Sequence, residues 1–171
     1  MKPQEYASRT EYRPPARWYQ RLNRLGALVV GLGLAPTDVA SLEVLRRVSG
    51  KTQRIPVVVT PYHGDDYLVS LAGESQWVKN VRASDGRAVL KRGRRRNVTL
   101  VEVDESERPP IIAQYLEGGR ERSGEKAGPD QARFYFGLDP DPTLDDIEAI
   151  AMHYPVFRVA YGRSVGDSEH S

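Results

Sequence analysis

Cysteine is absent from this 171-residue chain. A disulfide framework, a thiolate metal site and a cysteine nucleophile are therefore all excluded. Histidine is nearly as scarce: His63, His153 and His170 lie far apart and form neither HExxH nor HxxxH, which speaks against a zinc or haem ligand set. No long apolar run exists either. The longest, LGALVVGLGLA from Leu25 to Ala35, has 11 residues, whereas a membrane-spanning helix needs ~18–20. The polar, proline-containing start lacks the basic-then-apolar pattern of a secretory signal, so a cytoplasmic location is expected. Several reactions lose their signatures as well. There is no G-x-S-x-G elbow, and no third glycine follows Gly31 and Gly33. The acidic run Asp139, Asp141, Asp145 fails as a calcium loop, with Leu144 where glycine is needed and Ile150 at the terminal glutamate position.

What the chain has is one domain's worth of apolar material, 39% hydrophobic against 28% charged residues, which excludes disorder and collagen-like repeats. Its net charge of +2 hides segregation. Residues 1–24 carry Lys2, Arg9, Arg13, Arg17, Arg21 and Arg24 against Glu5 and Glu11, and residues 82–96 carry seven bases against Asp85 alone. One region of surface is thus suited to an anionic partner. Balanced overall charge and the lack of an exposed aromatic stacking signature set nucleic acid aside.

Residues 1–13 read as a flexible arm and 163–171 as a polar tail, leaving 14–162 as a single domain. Pro14 and Pro15 open a helix over 14–36, on which Trp18, Leu22, Leu25, Val29 and Leu32 share a face. That face either packs on the protein's own barrel, or rests on the inner face of a membrane or lids a lipid-like ligand. From residue 42 short β-rich runs take over: LEVLRRV, RIPVVVT and DYLVSL, separated by SGKTQ and PYHGDD. WVKNVRA reads as a short helix or turn. RAVLK and NVTLVEV flank a hairpin tip at Gly93, and ERPPIIAQYLE reads as a short helix. A loop is expected over 118–130, a strand at ARFYFGLD, a helix opened by a Thr143–Asp146 capping box, and a final strand at PVFRVAYG. Six or seven strands with a few helices make an α+β, mainly β, small barrel.

The chemistry concentrates in RRVSGKTQRIPV and LAGESQWVKNVRA. A tight turn at Gly50 presents Arg47, Lys51 and Arg54 on one hairpin, where a phosphate could dock. Trp77 offers a flat face, and Asn80 and Arg82 follow on the same element. The bland alternative is a core Trp77 with solvated cations.

These segments resemble the deazaflavin (F420)-dependent nitroreductase and quinone reductase family over roughly residues 40–116. The residues that carry the resemblance are Arg47, Ser49, Gly50, Pro56, Gly73, Trp77, Asn80 and Ala83, with YPVFRV as a family-like last strand. Val48 stands where the family has lysine, and Gln53 where it has a second arginine, with Arg54 adjacent. The resemblance implies a split β-barrel, FMN-binding-like, with flanking helices. It implies an oxidoreductase that transfers hydride from coenzyme F420 to a nitro, quinone or other conjugated, hydrophobic acceptor. Arg47, Ser49, Gly50, Lys51, Arg54, Gly73, Trp77, Asn80 and Arg82 would bind the cofactor, and Tyr135 and Tyr154 would meet the substrate. No catalytic residue is named and no metal is called for. Two other readings use the same barrel: a non-catalytic protein that binds a lipid or fatty acid, and a barrel that binds FMN or haem. A homodimer is compatible with each.

Overall fold

Alternation decides the first strand. In β1 (Val39–Leu45), Ala40, Leu42 and Val44 are almost wholly buried on one face, while Ser41, Glu43 and Leu45 take the other. The computed structural model, which describes residues 38–123, 132–139 and 141–162, adds six further strands. They are β2 (Thr52–Val58), β3 (Thr60–Tyr62), β4 (Asp65–Val69), β5 (Arg87–Arg92), β6 (Arg94–Glu102) and β7 (Val156–Tyr161). Every pairing is antiparallel, in the order β2-β1-β5-β6-β7-β4-β3. The edge strands β2 and β3 carry Pro56 and Pro61, residues without an N–H to offer a further strand. Among the described residues the result is a curled seven-stranded half-barrel with three α-helices. The arm, the 14–36 helix, residues 124–130 of the expected loop and the tail lie outside the described residues.

Two apolar clusters hold it together. Leu42, Leu90, Leu100 and Phe157 fill the barrel interior, which α1 (Gln76–Ala83) closes with Val78 and Val81. The second cluster forms where α2 (Arg108–Ser123) and α3 (Leu144–Ala151) pack on β3, β4 and the start of β7, around Ile112, Tyr115, Phe136 and Ile147. Its entry is fixed by the capping box: the Asp146 N–H donates to Thr143 Oγ1 at 3.3 Å, and the Thr143 N–H donates to Asp146 Oδ2 at 2.9 Å.

Four segments differ from the sequence reading. β1 stops at Leu45, so Arg46, Arg47 and Val48 belong to the turn, not the strand. PYHGDD is no simple turn: Thr60–Tyr62 pairs with Asp65–Tyr67 across His63 and Gly64, whose φ values of 48° and 87° are those of a two-residue hairpin turn. The helix begun at Arg108 runs on through Gly118 and Gly119 to Ser123, because the buried face of Ile112, Tyr115 and Leu116 continues at Gly119. ARFYFGLD forms one wide helical turn (Ala132–Phe136) in place of a strand. Ala132 and Phe136 are both buried in the second cluster, and that packing sets the turn.

Candidate functional site

The β1–β2 turn is tied both within itself and to α1. Arg46 N–H donates to the Lys51 carbonyl at 2.9 Å and Gly50 N–H to the Arg46 carbonyl at 2.8 Å, with Gly50 at φ +64°. A second anchor comes from α1. Asn80, 3% exposed, accepts from the Arg47 N–H (3.1 Å) and guanidinium (3.2 Å) through Oδ1, and its Nδ2 donates to Gln53 at 2.8 Å. Gln76 takes a further Arg47 hydrogen bond at 3.0 Å. One buried amide therefore fastens the helix to the turn and to β2.

Beside this turn lies an open groove of about 750 Å³, floored by β1, β5 and β6. Arg46, Arg47, Arg87 and Arg95 line it against one carboxylate, Glu43. Leu45 and Val89 contribute apolar wall, and Asn97 and Thr99 contribute polar groups. Glu43 is nearly buried, with its oxygens held by Arg54 Nε at 3.0 Å and Arg95 at 2.6 Å. Burial pushes its carboxyl up, but the hydrogen bonds from Arg95 and Arg54 outweigh this and leave it below the ordinary glutamate value.

A folded pKa lower than the unfolded one means stability present above ~4.3 and lost as pH falls through the lower folded value. The urea midpoint should therefore drop between about pH 5 and 3, and drop less in Glu43→Gln. Parallel pH profiles for the two proteins would show that this triad does not titrate with unfolding.

Of the nine cofactor candidates, the groove gathers Arg47, Gly50 and Asn80. Ser49 and Lys51 are exposed on the same turn, joined by a 3.4 Å bond from the Lys51 N–H to Ser49 Oγ. Arg54 sits one strand away on Glu43. Arg82 points elsewhere, clamped between Glu74 (2.6 Å) and Glu102 (2.7 Å), which raise its pKa further. Gly73 is buried against the segment that follows α3, where an added Cβ would stand 2.9 Å from the His153 carbonyl oxygen. Trp77 turns its ring to Phe157, 5.4 Å between centroids, as part of the barrel interior. Tyr154 donates to the Tyr135 carbonyl at 2.9 Å, so those two meet each other, but in the second cluster and away from the groove.

No protein-family model matches the chain, and no curated protein does. Solved structures do. A protein of unknown function from Agrobacterium tumefaciens superposes with a TM-score of 0.51 at 16% identity, over 93% of this chain and 62% of that one. An F420-H2 dependent reductase gives 0.44 at 16% identity, over 71% and 93% of the two chains. A heme binding protein from Mycobacterium smegmatis gives 0.43 at 14%, over 82% and 53%. The chain has the split β-barrel fold. In this split barrel the groove residues that the sequence reading missed include Glu43, Arg46, Arg87, Arg95 and Asn97. Glu43 and Arg95 are 52 positions apart, and only the β1–β5–β6 register brings them together. The RGRRR run was a usable signal, but it read as a solvated hairpin tip. Among the described residues no helix is long and apolar enough to cross a membrane.

Proposed function

We propose that this split barrel is an oxidoreductase that holds an anionic redox cofactor of the deazaflavin class, coenzyme F420, in the groove beside the β1–β2 turn and serves a nitro, quinone or other conjugated acceptor. One observation carries the reading: four arginines line a single groove against one carboxylate, and Arg47, Gly50 and Asn80, which carry the family resemblance, are among its residues. The residues present suit the charge of such a group. Arg46 and Arg47 would bind the phosphate of its tail. Asn80 holds the Arg47 backbone and guanidinium in place before any ligand arrives, which lowers the ordering cost of binding. Leu45, 56% exposed, and Val89 offer apolar surface to a flat ring and would keep water from it. The cofactor, when bound, supplies the hydride; orientation and water exclusion are what the chain adds.

Titration of the full chain with F420, followed by fluorescence anisotropy, should saturate within tens of micromolar. Arg47→Ala should weaken binding by about 10–100-fold, the loss expected for a charged hydrogen-bond donor. No saturation in the wild-type protein would overturn the assignment. A second reading is favoured by the apolar wall of the groove. The groove also suits a fatty acid, its head at Arg46 and Arg47 and its chain along Leu45 and Val89. Saturation by a fluorescent fatty acid without saturation by F420 would select it.

A further inference from the structure

We propose that Asn97 reads the imide edge of a flat, flavin-class ring in the groove and so sets which heterocycle the groove accepts. This rests on the reading of the groove as a redox-cofactor site. Strand register lays out its floor. Val89 on β5 stands opposite Glu43 on one side and Asn97 on the other. Beyond Asn97, the Gly162 N–H donates to the Asn97 carbonyl at 3.2 Å. Two strand spacings, about 10 Å, separate Asn97 from β1, at whose end Arg46 and Arg47 follow. A ligand with its phosphate at the turn and its ring over Leu45 and Val89 therefore brings the far edge of that ring to Asn97.

Of the two asparagines that line the groove, Asn80 uses its amide on Arg47 and Gln53. No described residue hydrogen-bonds the exposed side chain of Asn97. A free primary amide offers an acceptor and a donor side by side. The imide of a flavin-class ring, an N–H between two carbonyls, presents the complementary pair. An arginine could not accept from that N–H, and a carboxylate could not donate to those carbonyls. Gly162 supplies an independent observation. Its φ lies outside the left-handed region, so its backbone does not call for glycine, and an added Cβ would stand 3.3 Å from the Asn97 carbonyl oxygen. The missing side chain leaves the floor beside Asn97 bare, as a flat ring requires.

The imide is common to deazaflavin and flavin rings, so the test uses both. The full chain is titrated with F420 and with FMN, each alongside a form methylated at the imide nitrogen, and ring fluorescence is followed. Wild-type protein should bind the methylated form about tenfold more weakly than its parent, the contribution of one hydrogen bond. Asn97→Leu should bind the parent about tenfold more weakly than wild type does, and should bind the two forms within about twofold of each other, because the partner of that N–H is gone. A merely structural role for Asn97 would weaken both forms alike and keep the methylation penalty. An equal penalty in the two proteins, or a parent affinity unchanged by Asn97→Leu, would overturn the proposal. The expected pattern with FMN, in a protein that F420 does not saturate, would sink the deazaflavin reading and leave Asn97 its role. Saturation by F420 without the pattern would do the reverse, and saturation by neither ring would sink both.

Discussion

Replacing Asn80 with alanine should destabilise the protein by about 2–4 kcal/mol and weaken any ligand held at the β1–β2 turn. The side chain is 3% exposed and both its ends are used. Oδ1 accepts the Arg47 N–H and guanidinium at 3.1 and 3.2 Å, and Nδ2 donates to Gln53 at 2.8 Å. Truncation leaves a part-buried backbone donor and a part-buried amide oxygen without their partners, and an unmade buried hydrogen bond costs more than a made one contributes. It also frees the turn from α1, so Arg47 must be ordered by the ligand itself. Lys79→Ala, at the exposed neighbour on the same helix, should stay within about 0.5 kcal/mol. Urea denaturation of both variants checks this. A loss below about 1 kcal/mol for Asn80→Ala would mean that the helix and hairpin are held by the barrel core alone.

The contrast between what the chain's pattern reveals and what it hides follows from sequence distance. Runs such as RIPVVVT and PVFRVAYG announce strands because enrichment in β-branched and aromatic residues is local, and Thr143 with Asp146 announces a helix start because a cap needs only three residues of context. β3 stayed hidden because His63 takes a left-handed conformation, φ 48°, that turn chemistry assigns first to glycine or asparagine. The wide turn at Ala132–Phe136 stayed hidden because FYF carries strong β propensity, which packing between α2 and α3 overrides. At the site, the cations were visible and their counter-charges were not. Arg82 pairs with Glu74 and Glu102, 8 and 20 positions away, and Arg54 pairs with Glu43, 11 away. A list of arginines therefore overstates the free positive charge, and only strand register tells a neutralised guanidinium from an available one.

Gly86→Ala should be the most damaging glycine substitution in the described structure, at about 3–5 kcal/mol. α1 ends in a Schellman motif: the Gly86 N–H donates to the Val81 carbonyl at 2.9 Å and the Asp85 N–H to the Arg82 carbonyl at 3.3 Å. Asp85 and Gly86 both have positive φ, 51° and 78°. An alanine at 86 meets two separate penalties. The left-handed backbone costs about 1–2 kcal/mol for any residue with a Cβ. The new Cβ would also stand 2.4 Å from the Leu100 carbonyl oxygen, which is backbone and cannot swing aside. Relief requires β6 to shift, and the Leu100 N–H bond to the Gly86 carbonyl, 2.8 Å, goes with it. That is the rung that sets the β5–β6 ladder, the same ladder that places Arg95 against Glu43. Gly64→Ala isolates the first penalty, because Gly64 has φ +87° and nothing within 4 Å of an added Cβ. It should lose only about 1 kcal/mol. Urea midpoints for the pair separate strain from collision. Equal losses at both positions would show that β6 yields without cost, and the register that assembles the groove would then be softer than its hydrogen bonds imply.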